Sequence, residues 1–305
     1  MTPKVCLAIS AYNSDASIIR LLEEASRVED APWSKVLVVD SLGTGGIPKA
    51  IAERGWAGWA EYRSYAQNLG SAGNLAERLK IPAEQGFDFV YAINHDGLIV
   101  PDAVRNLVSF ATTRPRVGAV YPLRRYTNSG NRFDLTGTWR FPLPAIRSHA
   151  MPTADFLEVH WGSSNGALYA MAPVREGICV WADFWMGWED LAYGWGLEEN
   201  GYEQFVLPSV VLNDDYEYES REIGPFSFFV SEKPTWYWYY MARNLFLAAK
   251  RAQRGPPTQA LVGARLLVEA AVTAALRDRK RERLRLLARG VVDGLRGVSG
   301  KGEVP

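Results

Sequence analysis

Short apolar runs that alternate with stretches of helical periodicity constrain this 305-residue chain more than any other feature. Val5 to Ser10 is a compact apolar run of the kind that forms buried parallel strands. Asn13, Ser14 and Asp15 follow with helix N-cap chemistry, and Ile18, Leu22, Ala25 and Val28 recur at helical spacing behind them. Val36 to Val39 is a second β-branched run, closed by Asp40 and the glycine-rich turn SLGTGG. Phe87 to Ile93 is a third, ending in Asn94, His95, Asp96 and Gly97. Pro101 then opens a helix whose Val104, Leu107, Val108 and Ala111 share a face, and Val117 to Tyr121 reads as a fourth strand. Such alternation specifies an α/β sheet, mainly parallel, whose ligands bind at the carboxyl ends of the strands. Asn13, Asp40 and Asp96 all stand at those ends.

The second half is less regular. Residues 124 to 160 are rich in Asn, Gly, Pro and Arg without a clear period, which predicts loops or an irregular hairpin. Gly166 to Met171 and Phe205 to Leu212 are strand-like, and between them lies the acidic and aromatic stretch WADFWMGWEDLAYGWGLEENGY. From Pro234 the chain reads as helical, with a break at Gly255-Pro256-Pro257 and a last helical region from Thr258 to about Arg289. The end of that region, Arg277 to Arg289, carries seven basic and two acidic residues. A solvated helix face accounts for it, and contact with an anionic membrane surface is the functional alternative.

Charge and cysteine usage exclude several classes. The 34 basic and 34 acidic side chains cancel, which argues against a general nucleic-acid binder. Cys6 and Cys179 form neither a metal-spaced cluster nor a disulfide framework, so a reduced, cytoplasmic setting is expected. The opening residues lack the apolar core of a signal peptide. Leu261 to Leu276 is interrupted by Arg265 and Glu269 and is too short to span a bilayer. One number is out of line: aromatic residues make up 12%, and six of the eleven Trp lie between Trp181 and Trp238.

Several motifs carry chemistry. Asp40, ahead of a turn with three glycines, suits a carboxylate that bonds a nucleotide base or ribose; equally, it is a strand-end Asp capping a turn. QNLGSAGN, with Asn68, Gly70, Gly73 and Asn74, enters a helix whose free N–H groups can meet a phosphate or sugar. Asp96 is placed to bind a divalent cation that neutralises a diphosphate, or to interact with the dipole of the next helix. Glu189 and Asp190 lie among tryptophans, where desolvation raises a carboxyl pKa and suits it to act as a base near neutral pH. The aromatics from Trp181 to Trp195 then read as a saccharide platform, and those from Trp236 to Phe246 as packing. His149 and His160 lack partners at metal or triad spacing, GxSxG is absent, and GxGxxG does not follow the first strand.

Taken in order, VCLAISAYN, VLVVDSLGTGG, NLGSAGN, AINHDGLIVPDAV, SSNGALYAM, WEDLAYGWGLEENGY and YYMARNLFLAAKR resemble the family 2 glycosyltransferases over about Val5 to Lys250. The terminal GVVDGLRG is similar to tails of some bacterial members. The resemblance implies the GT-A fold, a Rossmann-like, mainly parallel mixed sheet with flanking helices, over residues 1–230. Residues 1–121 would be the nucleotide-binding half and 122–230 the acceptor-binding half, with a C-terminal helical extension over 231–305.

The implied activity is inverting transfer of a hexosyl or deoxyhexosyl group from a nucleotide diphosphate-sugar. The acceptor would be a hydroxyl of a saccharide, a lipid-linked saccharide or a small molecule, as in cell-envelope polysaccharide synthesis. By position, Asn13 and Asp40 would hold base and ribose, while Asn68, Gly73, Asn74 and Asn94 line the donor cleft. Asp190 would be the base, with Glu189, Trp188 and Trp161 as acceptor ligands. Asp96 corresponds to the last acidic residue of the family's Asp-x-Asp motif and would hold Mn²⁺ or Mg²⁺.

The sequence departs from the family at two places. Asn94 stands where the metal motif has its first Asp, and Asn213, Asp214 and Asp215 stand where many members have a His, which makes Asp214 a second candidate metal ligand. Any peripheral membrane contact would run through the basic C-terminal helix, at the inner face of the membrane. The competing class is a non-catalytic sugar-binding or scaffold protein that retains the fold. A sugar-1-phosphate nucleotidyltransferase would want a glycine-rich, basic signature after the first strand, where AYNSDAS offers none.

Overall fold

The computed structural model describes residues 2–128, 130–141, 147–215, 219–223, 226–230 and 233–302. In chain order the first half contains β1 (Val5–Ala11), α1 (Asp15–Ser26), β2 (Lys35–Ser41), α2 (Gly46–Glu53), β3 (Ala60–Tyr65), α3 (Gly70–Glu84), β4 (Phe89–Asn94), α4 (Pro101–Thr112) and β5 (Val117–Tyr126). Then come β6 (Arg132–Asp134), β7 (Arg147–Ser148), β8 (Leu157–Glu158), β9 (Ala167–Ala170), α5 (Ala172–Arg175), α6 (Glu189–Glu199), β10 (Glu203–Asp214) and the hairpin β11 (Glu219–Ile223) and β12 (Phe226–Val230). Three helices close the chain: α7 (Tyr237–Arg251), α8 (Pro256–Leu276) and α9 (Lys280–Arg296).

The main sheet runs β3-β2-β1-β4-β9-β5-β10-β8, with β6 and β7 branching from β5. β3, β2, β1 and β4 pair in parallel, as do β5 and β10, and the short antiparallel β9 joins the two blocks. Strand alternation explains how both faces are covered. Val5, Leu7 and Ile9 of β1 pack with Ile18, Ile47 and Val104 from α1, α2 and α4, while Cys6 and Ala8 pack with Leu75 and Leu79 of α3.

Register then aligns the polar ends. Ala11 stands beside Asp40 and Ser10 beside Asn94, so β2 and β4 deliver their terminal residues on either side of β1. Asp214 closes β10 opposite Tyr126 at the same edge.

Three features differ from the sequence expectation. β3 has no apolar run to announce it, because it is an edge strand with only Ala60 fully buried. The irregular region 124–160 contains β6 to β8, each too short to show a period, and β5 itself continues to Tyr126. The last helical region is two helices. The chain reverses at Arg279, which has φ +43°, although no glycine or proline lies there. The Arg283 side chain holds that corner by donating to Asp278 Oδ1 at 2.7 Å and to the Lys233 carbonyl at 2.8 Å. The reversal lets Leu266 of α8 and Leu287 of α9 share one core with Trp238, Leu245 and Ala249 of α7.

α8 starts close to the expected Thr258, so the apolar stretch from Leu261 is only part of it. It runs from Pro256 for 21 residues with mean hydropathy 1.4, long and apolar enough by composition to cross a membrane. Only 17% of its apolar window is buried, and Leu267 is 74% exposed.

Candidate active site

Glu189 and Asp190 open α6, and the loop before them is built under strain. Trp185 and Trp188 have φ of +60° and +64°, a region bulky side chains rarely occupy and which costs on the order of 1–3 kcal/mol per residue. The strain is held from α7. Asn244 is fully buried, and its amide NH2 donates to the carbonyls of Phe184, Met186 and Gly187 at 3.0, 2.8 and 2.9 Å. Its oxygen accepts from Arg243 Nε at 2.9 Å, and Arg243 also donates to the carbonyls of Phe184 and Gly300. Three carbonyls can face only the donor side of an amide, so the chemistry of the surroundings fixes its orientation.

Both carboxylates of the pair are withdrawn from bulk water. Burial pushes the Asp190 carboxyl up to about 7, and the neighbouring Glu189 charge adds to the rise. Burial likewise raises Glu189. Counter-effects come from Ser164 beside Asp190, from Ser71 beside Glu189, and from the buried guanidinium of Arg78. Arg78 anchors itself by donating to the Ile93 carbonyl at 3.0 Å. Glu189 Oε2 and Asp190 Oδ1 have no hydrogen-bond partner, an arrangement buried polar atoms seldom tolerate unless a ligand completes it.

Asp190 lines a cavity of about 280 Å³ with Trp161, Trp188, Thr136, Tyr121 and Arg265. The rings of Trp161 and Trp188 meet edge to face at 6.1 Å, and the indole N–H of each is without an acceptor. The other tryptophans of the expected platform are packing. Trp195 is fully buried and donates to the Arg140 carbonyl, while Trp185 donates to the Asn68 carbonyl and stacks on Tyr240. Trp181 packs on Phe184 and Arg251. The Trp236 to Phe246 group is packing as expected, with Trp238, Tyr239 and Tyr240 all buried.

A second cavity of about 570 Å³ lies at the strand ends, lined by Asn94, Asp96, Arg124, Asn165, Asp214 and Lys233 among others. Asn165 ties the two cavities together: it lines both and accepts from the Asn94 backbone N–H at 3.0 Å. Asp40 stands nearby at the end of β2. Its Oδ2 accepts from the Tyr62 hydroxyl at 2.8 Å, its Oδ1 is buried without a partner, and burial raises its pKa. Gly43 permits this fit, since a Cβ there would lie 2.0 Å from the Tyr62 hydroxyl. Asn13, exposed with φ +49°, follows β1 on the same edge.

The α3 entry is arranged differently from its expected role. The Ala72 N–H donates to the Trp185 carbonyl at 3.1 Å, so the helix start is capped by the loop before α6 instead of lying open to an anion. A Cβ on Gly70 would lie 1.9 Å from that carbonyl. Asn68 caps the Gly70 N–H, and Asn74 is buried, donating to the Val39 carbonyl at 2.9 Å. Gly73 packs against Leu69, with Ala182 beyond it. These residues brace β2 and the loop carrying Asp190; their sequence signal was the glycine spacing, which does not distinguish a ligand cradle from a close helix contact.

Asp96 and Asp214 share the strand-end cavity, but Asp214 is ion-paired with Arg124. Among the described residues no three His, Cys, Asp or Glu side chains come together as a metal-holding group. Asp96 is exposed and, among the described residues, makes no hydrogen bond or ion pair. The donor set therefore fits a cation that arrives with a diphosphate and takes most of its oxygens from it, as Mg²⁺ commonly does, and does not fit one caged by protein alone. Ser71, Arg78, Ser164 and Arg265 are the site residues that sequence reasoning did not find. Ser71 and Ser164 stood inside the QNLGSAGN and SSNG motifs, and Arg78 and Arg265 carried no local signal.

No protein-family model matches the sequence, and no curated protein matches it. Solved structures do. The chain is similar to a mannosyltransferase from Pyrobaculum calidifontis in complex with GDP-Man and Mn²⁺ (18% identity, 97% of this chain and 88% of that one, TM-score 0.56). It is similar to TarS from S. aureus with UDP-GlcNAc (14% identity, 97% and 81% covered, TM-score 0.61). It is also similar to GalNAc-T7 with UDP, GalNAc and Mn²⁺ (9% identity, TM-score 0.61), of whose length it spans 56%. The shared architecture is the GT-A fold, a mostly parallel mixed sheet with flanking helices, here followed by a helical C-terminal region.

Proposed function

We propose that this protein is an inverting glycosyltransferase of the family 2 type. It would move a hexosyl or deoxyhexosyl group from a nucleotide diphosphate-sugar to a hydroxyl of a saccharide, lipid-linked saccharide or small molecule. The observation that carries the reading is the buried Asp190 carboxyl, raised to about 7, facing a cavity walled by two tryptophans. Asp190 takes the proton from the acceptor hydroxyl, whose oxygen attacks the anomeric carbon from the side opposite the diphosphate. Trp161 and Trp188 offer apolar faces and free indole N–H groups to the acceptor, and Glu189 holds one of its hydroxyls. Asp40 Oδ1, buried and without a partner, accepts from the base or ribose of the donor. Asn13, after β1, and Asn94, ending β4, follow it along the same row of strand ends.

When a divalent cation is bound, Asp96 is the carboxylate that would hold it, and the ion supplies positive charge to the departing diphosphate. Release of nucleoside diphosphate from a panel of nucleotide sugars, with and without Mn²⁺, tests the reading. Release from at least one donor is expected; tight donor binding with no release from any would favour a non-catalytic sugar-binding protein. Calorimetry tests the cation. Mn²⁺ should tighten nucleoside diphosphate binding to the wild type and do so much less for Asp96→Ala, and equal affinity with and without Mn²⁺ would remove Asp96 from that role.

Peripheral contact with an anionic membrane face belongs to the same proposal. Supporting it are Leu261, Leu267 and Val268, exposed on α8, and Lys280, Arg281 and Arg285, exposed on α9. Vesicles containing phosphatidylglycerol should sediment the protein and neutral phosphatidylcholine vesicles should not. Equal recovery with both would count against it.

A further inference from the structure

Arg265 is the one residue of the Asp190 cavity that comes from the C-terminal helices. It stands on α8, in a segment the sequence presents only as an interruption of an apolar run. Its guanidinium carbon lies 5.3 Å from the centre of the Trp188 ring, on the ring that flanks Asp190. Its Nε is buried and has no hydrogen-bond partner.

The acidic residue one turn along the same face, Glu269, pairs with Arg277 at 3.9 Å. Neighbouring arginines are committed: Arg124 to Asp214 and Ser163, Arg251 to Asp183, Arg254 to Glu198. Among the described residues no ion pair involves Arg265. The opposing charge nearest to it is that same Glu269, already shared with Arg277, and Arg265 is half-buried with its Nε–H unmet, a state that costs the fold unless a ligand completes it.

We propose that Arg265 binds an anionic group of the acceptor, so that the molecule glycosylated carries a carboxylate or phosphate close to the reacting hydroxyl. The inference rests on the reading of the Asp190 cavity as the acceptor site. The donor diphosphate is not the anion, because Arg265 lines the Asp190 cavity and not the strand-end cavity that holds Asn94 and Asp96. A guanidinium matches the geometry, since its planar fork meets a carboxylate or phosphate with two parallel hydrogen bonds. Trp188 lies against the guanidinium, and the Nε–H, which no protein atom meets, is a donor left for the ligand.

The test uses matched acceptors with the donor identified by nucleoside diphosphate release: octyl glucoside against octyl glucuronide, and a hexose against its phosphate. The wild type should favour the anionic member of each pair by about 10- to 100-fold in kcat/KM, the range expected of charge-assisted hydrogen bonds. Arg265→Gln should bring that ratio to within about threefold of one, and Arg265→Lys should restore part of it as a point charge without the fork. Melting temperatures close to wild type would establish that both variants fold. The same hexose phosphate presented free and as a lipid-linked headgroup in detergent micelles separates a soluble metabolite from a lipid, and faster transfer to either supports the proposal. Wild-type indifference to acceptor charge overturns it. So does an Arg265→Gln variant that slows anionic and neutral acceptors alike, which would make the residue a prop for Trp188. If no acceptor is glycosylated with any donor, the transferase reading falls first and this inference with it.

Discussion

Asp190→Asn should lower glycosyl transfer by about 10²- to 10⁴-fold, the usual contribution of a general base, while leaving donor nucleotide affinity near wild type. The size follows from the site. Asp190 is withdrawn from water beside Glu189, its Oδ1 has no protein partner, and its carboxyl is raised to about 7, where basicity and ionisation are balanced at neutral pH. The wild-type rate should therefore rise with pH through about 7 and level off above it. The variant's residual rate should lack that limb.

Stability moves in the opposite direction. A carboxyl whose folded pKa lies above its unfolded value, about 4, makes the native state the tighter proton binder. Its contribution is complete below about pH 4 and is lost as pH rises to about 7. Asparagine carries no such penalty, so Asp190→Asn should melt higher than the wild type at pH 8 while being far less active. Wild-type turnover in the variant, or a flat wild-type profile between pH 5 and 8, would remove Asp190 from the role of base.

The largest structural effect is expected at Asn244, which touches neither cavity. Asn244→Leu keeps the volume but removes the donor shared by Phe184, Met186 and Gly187 and the acceptor of Arg243 Nε. Phe184 keeps its bond from Arg243, whereas Met186, Gly187 and the Arg243 Nε are left wanting. At about 1–3 kcal/mol for each of the three buried groups left unsatisfied, the loss is about 3–9 kcal/mol. That is a large share of the stability of an ordinary protein and should lower the melting temperature by about 5–14 °C.

Activity should fall further than stability alone explains. The freed loop carries the positive-φ residues Trp185 and Trp188, and without Asn244 the segment from Met186 to Trp188 loses the bonds that oppose relaxation to ordinary dihedrals, while Trp185 keeps those to Ala72 and Asn68. Glu189 and Asp190 would turn with them. A variant that melts within about 2 °C of wild type would show that the strap is not what holds the loop.

The Rossmann-like half was legible because β1, β2 and β4 are buried on both faces, and double burial demands the unbroken apolar runs at Val5 to Ser10, Val36 to Val39 and Phe87 to Ile93. β3 escaped because an edge strand need not be apolar, and α9 escaped as a separate helix because Arg283, not a glycine or proline, holds the corner before it. At the site, Asp40, Asn94 and Asp96 were placed at the strand ends by alternation alone, and Glu189 and Asp190 stood out as acidic residues in an aromatic stretch. Asn68, Gly73 and Asn74 were read as cleft residues from their glycine spacing; in the fold they cap, pack and brace.

The sequence by itself determined the alternation of strands and helices, the strand ends that carry Asp40, Asn94 and Asp96, and the acidic pair Glu189 and Asp190 in its aromatic stretch. These follow from periodicity and from strand ends, which are local properties of a chain. Only the tertiary structure decided which tryptophans face the cavity and which fill the core, that Arg124 occupies Asp214, and that Asn244 and Arg265 reach back from the last helices to the α6 entry. Each of these depends on contacts between residues far apart in sequence, where burial and hydrogen-bond satisfaction are settled by packing and leave no periodic trace.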